Sequence, residues 1–397
     1  MRRRSPLVSI FLIVLVDILG MTIILPLLPF YAESLGATPL IVGLLLSTYA
    51  ACQLIAGPIL GQISDRIGRK PVLLLSQCGT FAGFLLLAAS QSLLPVFLAR
   101  VIDGLTAGNI SVAQAYIADV TEEEKRTQSF ALIGIAFGIG FLLGPAVSGF
   151  LAQFSYRYPI YLAAGLSATS IGATFFLLPG GHGHQKQESL GWSKTWRVFW
   201  EPAMSRLFLQ FTSYAFTFSL LITGFALFAE RRFTYGGVPF QAKHVGYVLA
   251  FLGLVGIVIQ GGLIRHLVRR IGEARLIVAG FASLVIGMIA VGLVYRLDEL
   301  VVVMVILSFG SSVVRPALTT LITQVAGRQR QGTALGLMQS LNSIAQIVSP
   351  TIGGALIQHG LLASWAFVAA IFAAIGLLLS QPARMPSTLA SEDLTSM

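Results

Sequence analysis

GQISDRIGRKPVLL, residues 61 to 74, sets two glycines, one acid and three bases between two long runs that carry almost no charge. What such a cluster does in such surroundings decides the fold. The chain has 397 residues, of which 55% are hydrophobic and only 11% charged, and its mean hydropathy is +0.83. A soluble fold of this length does not have that composition, so lipid is the solvent. A hydrocarbon core about 30 Å thick takes roughly 20 apolar residues per helix. That window predicts twelve spans: Leu7 to Tyr31, Leu40 to Ile63, Pro71 to Ser90, Leu93 to Ala118, Ser129 to Phe154, Pro159 to Leu178, Leu207 to Ala229, Val245 to Leu267, Ala274 to Tyr295, Leu300 to Thr323, Gly332 to Ile357 and Leu361 to Gln381. The expected fold class is an all-α polytopic membrane protein.

The basic start, MRRRSPLVSIFLIVLVD, resembles a secretory leader only in its first residues. Its apolar run continues to about residue 30 with no small-residue cleavage site, so it is expected to stay as span 1. Cys52 and Cys78 fall inside spans 2 and 3, where they read as small buried hydrophobes. The net charge of +10 is a topology signal, because most of the 26 Lys and Arg cluster at the N-terminus, at the C-terminus and in the loops after spans 2, 4, 6, 8 and 10. Only Arg157, Arg231, Arg232, Lys243 and Arg296 lie on the other side. The basic side is cytoplasmic by the positive-inside rule, which places both termini in the cytosol of a multi-pass inner or plasma membrane protein. Anionic lipid, not nucleic acid, is the partner that this charge implies.

The longest polar break, Gly180 to Arg206, divides the chain into six spans and six: an N-terminal bundle (1–179), a cytoplasmic linker (180–206) and a C-terminal bundle with a short tail (207–397). DRIGRK (Asp65 to Lys70) is echoed by RRIGEA (Arg269 to Ala274), and GPAVSG (Gly144 to Gly149) by SPTIGG (Ser349 to Gly354), both about 205 residues later. A shared offset at two separate places argues for an internal duplication, the arrangement by which many secondary transporters enclose a midplane site.

These residues carry a family resemblance. Gly61, Asp65, Arg66, Gly68, Arg69 and Lys70 match in full the G-x-x-x-D-R-x-G-R-[KR] loop of the major facilitator superfamily. Leu98 to Gly104 (LARVIDG) resembles the span-4 arginine motif of its twelve-span drug-proton antiporters, and Gly140 to Gly149 (GFLLGPAVSG) their span-5 motif. LVDILGMTIILPLLP, SDRIGRKPVLLLS and IADVT are similar to the tetracycline-efflux pumps. The resemblance implies two pseudo-symmetric six-helix bundles, export of a small amphipathic compound against protons, and a monomer. It further implies a cytoplasmic latch in which Asp65 binds a helix N-terminus of the other half while the bases pair with nearby acids. It does not imply tetracycline itself: span 9 lacks the acid of those pumps, and Asp103 stands where the family commonly has glutamine.

The residues also speak for themselves. Gly61 permits close approach of two helix backbones, and Gly140, Gly144, Pro145 and Gly149 give span 5 a thin face and a broken hydrogen-bond ladder. Ionisable groups inside spans are costly and are functional candidates by default. Asp17 lies mid-span, too deep to snorkel, and must face the bundle interior; Arg100 and Asp103 share a helix face and can pair. Either Asp17 or Asp103 is a candidate carrier of a coupled proton, and the Arg100–Asp103 pair reads equally as a self-neutralising structural unit. Arg315 sits in span 10. Polar stripes on span 4 (Arg100, Asp103, Ala107, Ser111, Gln114), span 11 (Gln339, Asn342, Ser343, Gln346) and span 2 (Tyr49, Gln53) line a cavity or glue helices together. The span-7 aromatics Phe208, Phe211, Tyr214, Phe216 and Phe218 point all round their helix and define no pocket.

The HGH at 182 to 184 has no further ligand nearby, so no metal site or cofactor is expected. The sequence holds no phosphate-binding P-loop, which leaves ion gradients as the energy source. A sugar or metabolite uniporter or symporter, and a non-transporting membrane receptor or scaffold, are the alternative classes; catalysis is not expected.

Overall fold

The computed structural model describes residues 6–121, 126–179 and 199–380. Span 1 is the helix Pro6–Ser34, span 2 Pro39–Ile67, span 3 Arg69–Ala89, span 5 Arg126–Ala152, span 6 Arg157–Leu177, span 7 Pro202–Arg232 and span 12 Leu362–Ser380. Spans 8 and 9 run together through Ala242–Val258, a π-helical turn Ile259–Leu263 and Ile264–Leu293, and spans 10 and 11 lie within Leu297–Gln358. Span 4 differs from expectation: it is two helices, Leu93–Leu105 and Asn109–Val120. Among the described residues nine helices are long and apolar enough to cross a membrane. The number falls short of twelve because the broken span 4 is too short on either side, spans 8 and 9 share one run, and the apolar stretch of the span 10–11 helix ends at Gly327. Thr234–Tyr235 and Val238–Pro239 form a small hairpin after span 7.

The local sequence explains the ends. Span 2 starts at Thr38, whose Oγ1 accepts from the Ile41 amide at 3.4 Å, with Pro39 in the first turn. It stops at Gly68, φ 97° and ψ 157°, where one residue in a conformation that side chains resist turns the chain into span 3. Gly272, φ 76° and ψ 162°, does the same between spans 8 and 9. Gly68 and Gly272 are equivalent positions of DRIGRK and RRIGEA, so the duplication extends to backbone geometry. Span 4 breaks where the Thr106 Oγ1 donates back to the Ile102 carbonyl at 2.8 Å and Gly108 closes on Leu60 and Ser76. The Gly108 amide then donates to Ser76 Oγ at 3.3 Å.

Two seams join the halves, and they are copies of each other. On one, a Cβ at Gly43 of span 2 would lie 2.2 Å from the Pro350 carbonyl oxygen, and one at Gly354 of span 11 would lie 2.3 Å from that of Pro39. On the other, a Cβ at Gly246 of span 8 would lie 2.4 Å from the Pro145 oxygen, and one at Gly149 of span 5 would lie 3.0 Å from that of Lys243. Each half thus lends one Gly-Pro helix and one glycine-faced helix, the small-residue packing by which membrane helices approach closely. Ser47 Oγ adds a bond to the Ile347 carbonyl at 2.5 Å, and Arg231 of span 7 reaches Glu33 of span 1 at 2.5 Å.

All these contacts lie at one end. Gly61 stands 18 residues beyond Gly43, five full turns and about 27 Å along the same face of span 2. Gly336 has the same relation to Gly354 on span 11. Beside both Gly61 and Gly336 there is open space, with no atom within 4 Å of an added Cβ. The seam that is tight at Gly43 has therefore parted at Gly61, and the halves enclose a cleft sealed at one end and open toward residues 61–70. Among the described residues the largest fully buried side chains, Trp365, Phe208, Phe225, Phe228 and Phe281, lie in the second half.

Candidate functional site

A pocket in the first half gathers side chains from spans 1, 2, 3, 4 and 6, among them Asp17, Tyr49, Gln53, Thr80, Arg100, Asp103, Asn109 and Ser167. Arg100 and Asp103 are each 5% exposed, and Arg100 Nη1 lies 3.2 Å from Asp103 Oδ2. The guanidinium sits 5.9 Å from the Tyr49 ring centroid and 6.0 Å from that of Phe84, at the outer reach of a cation–π contact with each. Its Nε and Nη2 are buried without hydrogen-bond partners, as is Asn109 Oδ1. Gln53 Nε2 donates to Tyr49 Oη at 3.3 Å, which orients that ring. A buried ion pair with donors left over is a poor source of stability and a ready acceptor of a polar ligand or of water.

Asp17 faces the same pocket. Its Oδ2 is buried with no hydrogen-bond partner, and the side chains of Ser170 and Gln77 are its polar neighbours. Gln77, fully buried on span 3, donates from Nε2 to Ser170 Oγ of span 6 at 2.8 Å. Sequence reasoning missed Gln77, Thr80, Asn109, Ser167 and Ser170. Gln77 and Thr80 form a three-residue step on span 3, and the glycine pair Gly104 and Gly108 marked the break that delivers Asn109; those were the available signals.

The span-5 motif sits directly on the Asp17 helix. A Cβ at Gly140 would lie 2.5 Å from Ile18 Cγ2, and one at Gly144 would lie 2.2 Å from Thr22 Oγ1. Span 5 therefore abuts span 1 beside and one turn after Asp17, then crosses to span 8 of the other half at Gly149. The carbonyl of Pro145 receives the bare face of Gly246. Any shift of span 5 against span 8 is felt at the turn that carries the acid.

At the open end the loop is organised within its own half. Arg69 is its hub: Nε donates to Asp119 Oδ2 at 2.9 Å, Nη1 donates to Ser64 Oγ at 2.6 Å, and the guanidinium also pairs with Asp65. Lys70 Nζ caps span 6 through the carbonyls of Phe175 and Leu178 at 2.7 and 2.8 Å. Arg66 is exposed, and Gly61 touches no helix of the other half. The implied contact of Asp65 with a helix N-terminus of the second half is not made in this conformation, because the cleft is open where it would form.

The remaining cavity candidates lie elsewhere. Arg315 is exposed, with its guanidinium 6.0 Å from the Phe137 ring of span 5 across the cleft. Gln339 and Gln114 are exposed, and Asn342 and Gln346 are half-buried on span 11. The side chain of Ser111 lies outside the described residues, as do the HGH at 182 to 184 and most of the 180–206 linker. Tyr214 of span 7 is buried and donates to the Ser311 carbonyl at 3.2 Å, while Phe216 stacks on Phe372 at 4.6 Å, so those aromatics serve the second-half core. Among the described residues no group of three or more His, Cys, Asp and Glu side chains could hold a metal ion.

The family model of the Major Facilitator Superfamily matches residues 10–350 and 267–393. The tetracycline resistance protein, class E, of Escherichia coli is 31% identical over 350 residues, 86% of this chain and 85% of that protein. The class D protein of Salmonella ordonez is 32% identical and covers 88% of each chain. The quinolone resistance protein NorA of Staphylococcus aureus (strain MRSA252) is 28% identical, again over 88% of each. Among solved structures, the human organic anion transporter MFSD10 (TETRAN) has a TM-score of 0.74 at 24% identity, covering 96% of this chain and 100% of that one. The peptide transporter POT in complex with sulfate has a TM-score of 0.76 at 15% identity, covering 95% and 96%.

Proposed function

This chain belongs to the Major Facilitator Superfamily, and from that premise we propose that it is a proton-coupled exporter of small amphipathic compounds, working by alternating access. It is a multi-pass membrane transporter whose relatives include proteins named for tetracycline and quinolone resistance. The observation that carries the finer reading is Asp17, half-buried with one oxygen fully buried and unpartnered, in a pocket with the Arg100–Asp103 pair and against the glycine face of span 5. A carboxyl so placed exchanges a proton without breaking a salt bridge. The helix that touches it also forms a seam between the halves, so its charge state and the seam share a structural element.

In this reading residues 1–179 and 207–397 are the moving halves, the 61–70 end and both termini are cytoplasmic, and the cleft as it stands accepts substrate from the cytosol. Tyr49, Gln53, Arg100 and the neighbouring apolar wall take the substrate, with Arg315, Gln339, Asn342 and Gln346 facing it from the other half once the cleft closes. The latch of Asp65 to the second half then forms as the Gly43 and Gly246 seams part. Exchange of a neutral compound for one proton gains about 2.3 kcal/mol per 100 mV, roughly a 50-fold gradient. The protein acts as a monomer. Cells expressing it should accumulate less of at least one tetracycline, quinolone or related amphipathic compound, and collapse of the proton gradient should abolish the difference. A difference that survives the collapse, or no compound of a broad panel excluded, refutes the reading.

A further inference from the structure

We propose that Glu33 is a second proton site, on an ion bridge between the halves at the sealed end, and that acid at this end favours its opening. This rests on the reading that the sealed end faces outside, the acidic side for a proton-driven exporter. It does not depend on which acid carries the coupled proton.

Glu33 lies at the end of span 1, and Arg231 in the last turn of span 7. Arg231 Nη2 donates to Glu33 Oε1 across the gap between the halves. Its Nη1 donates to Glu230 Oε2 at 3.1 Å and to the Leu227 carbonyl at 3.2 Å, both on its own helix. Among the described residues, Glu33–Arg231 is the only ion pair that joins the two halves. One guanidinium therefore serves two carboxylates, one from each half, and one negative charge is left over. The Glu33 and Glu230 side chains are 16% and 30% exposed, so water reaches both.

The two acids are not equivalent. Glu230 and the Leu227 carbonyl move with Arg231, whereas Glu33 belongs to the other half. When the Gly43 and Gly246 seams part, Arg231 keeps its partners on span 7 and Glu33 alone loses its cation. The bridge thus favours the charged form of Glu33 in the sealed conformation only. By linkage, a proton binds Glu33 more readily once this end is open, so falling pH favours opening. The same proton removes the surplus charge and leaves a balanced Arg231–Glu230 pair within the second half.

The other ionisable groups of this end leave the bridge to these three residues. Tyr156, at the start of span 6, is a neighbour of both acids, and Arg157 beside it is a neighbour of Tyr31. Arg232 is turned away: its Nη2 donates to the Gly292 carbonyl at 2.8 Å and its guanidinium lies 4.2 Å from the Tyr295 ring centroid. Lys243 and His244 neighbour each other at the start of span 8. Spans 2 and 5 carry no charged residue at this end. A part-exposed ion pair shifts an equilibrium by roughly two- to fivefold, so the bridge tunes a seal that the glycine seams make.

The test is pulsed resonance on the full chain in lipid nanodiscs, with Cys52 and Cys78 replaced and spin labels at Gln91 and Glu299, exposed positions at this end of opposite halves. Distances are recorded between pH 8 and pH 5 in an Asp17→Asn background, which removes the titration of that acid. The longer-distance population should grow roughly two- to fivefold as pH falls. Glu33→Gln should hold it at the acid level throughout, and Glu33→Ala serves if that variant does not fold. Glu230→Gln should act in the opposite sense: Arg231 then has Glu33 as its one acid partner, and the transition should move to lower pH. A response that survives in Glu33→Gln or Glu33→Ala, or a transition that Glu230→Gln leaves in place or moves to higher pH, overturns the proposal. A response seen with Asp17 present and lost in the Asp17→Asn background belongs to Asp17; it overturns the role of Glu33 and leaves the carrier reading standing.

Discussion

Replacing Gly43 with alanine puts one carbon where the two halves have no room for it. The new Cβ would meet the Pro350 carbonyl oxygen at 2.2 Å, the carbonyl carbon at 2.8 Å and Thr351 Cα at 3.1 Å, all of them backbone, so no side-chain rotation relieves the clash. Ordinary contact begins at 3.4 Å, which requires spans 2 and 11 to part by 1.2 Å at this level. The same movement stretches the Ser47–Ile347 bond from 2.5 Å and the Leu40–Gln358 bond from 3.3 Å beyond hydrogen-bonding range. Overpacking costs about 1–3 kcal/mol and each lost hydrogen bond about 1 kcal/mol. Together they weigh on the order of 3 kcal/mol against the sealed end, a shift on the order of a hundredfold in the open-to-sealed ratio. Gly246→Ala, at 2.4 Å from Pro145, should act alike through the duplicated seam. Spin labels at Ser34 and His359, with Cys52 and Cys78 replaced, report the separation by pulsed resonance. A longer-distance population should appear in both variants, and a distribution unchanged from the parent in well-folded protein refutes the seam as the element that holds this end shut.

Asp65→Asn should preserve expression and substrate binding and impair transport, because the helix-dipole contact worth up to about 2 kcal/mol is lost from the closed form while the pocket is untouched; undiminished efflux contradicts the latch. Cysteine placed near Gly183 should react with membrane-impermeant reagents only from the cytoplasmic side, and one near Gly237 only from outside. The reverse pattern at either place means that the orientation is wrong.

The spans were legible because a run of about 20 apolar residues has few other uses, and the chain reversals because glycine accepts a backbone that other residues resist. The duplication was visible at Asp65 to Lys70 and Gly144 to Gly149; its extension to Gly43 and Gly246 was not, since a single glycine in an apolar helix gives no sign of what lies opposite. Asp17, Arg100 and Asp103 stood out by the cost of burying charge. Gln77 and Ser170 did not, being neutral groups whose meaning lies in which side chain faces them. The latch illustrates another limit: the sequence names Asp65 and Arg69 without saying which partners they take, and here Arg69 pairs with both Asp65 and Asp119.

The account depends most on the claim that Asp17 carries the proton that drives transport. The direct measurement is proton release on adding a transported compound to purified protein in weakly buffered detergent, comparing wild type, Asp17→Asn and Asp103→Asn. Asp17→Asn mimics the protonated acid and removes the differential affinity that links the two gradients. Release should therefore be lost in Asp17→Asn, with downhill exchange of substrate retained, and should persist in Asp103→Asn. Release that persists in Asp17→Asn and disappears in Asp103→Asn contradicts it.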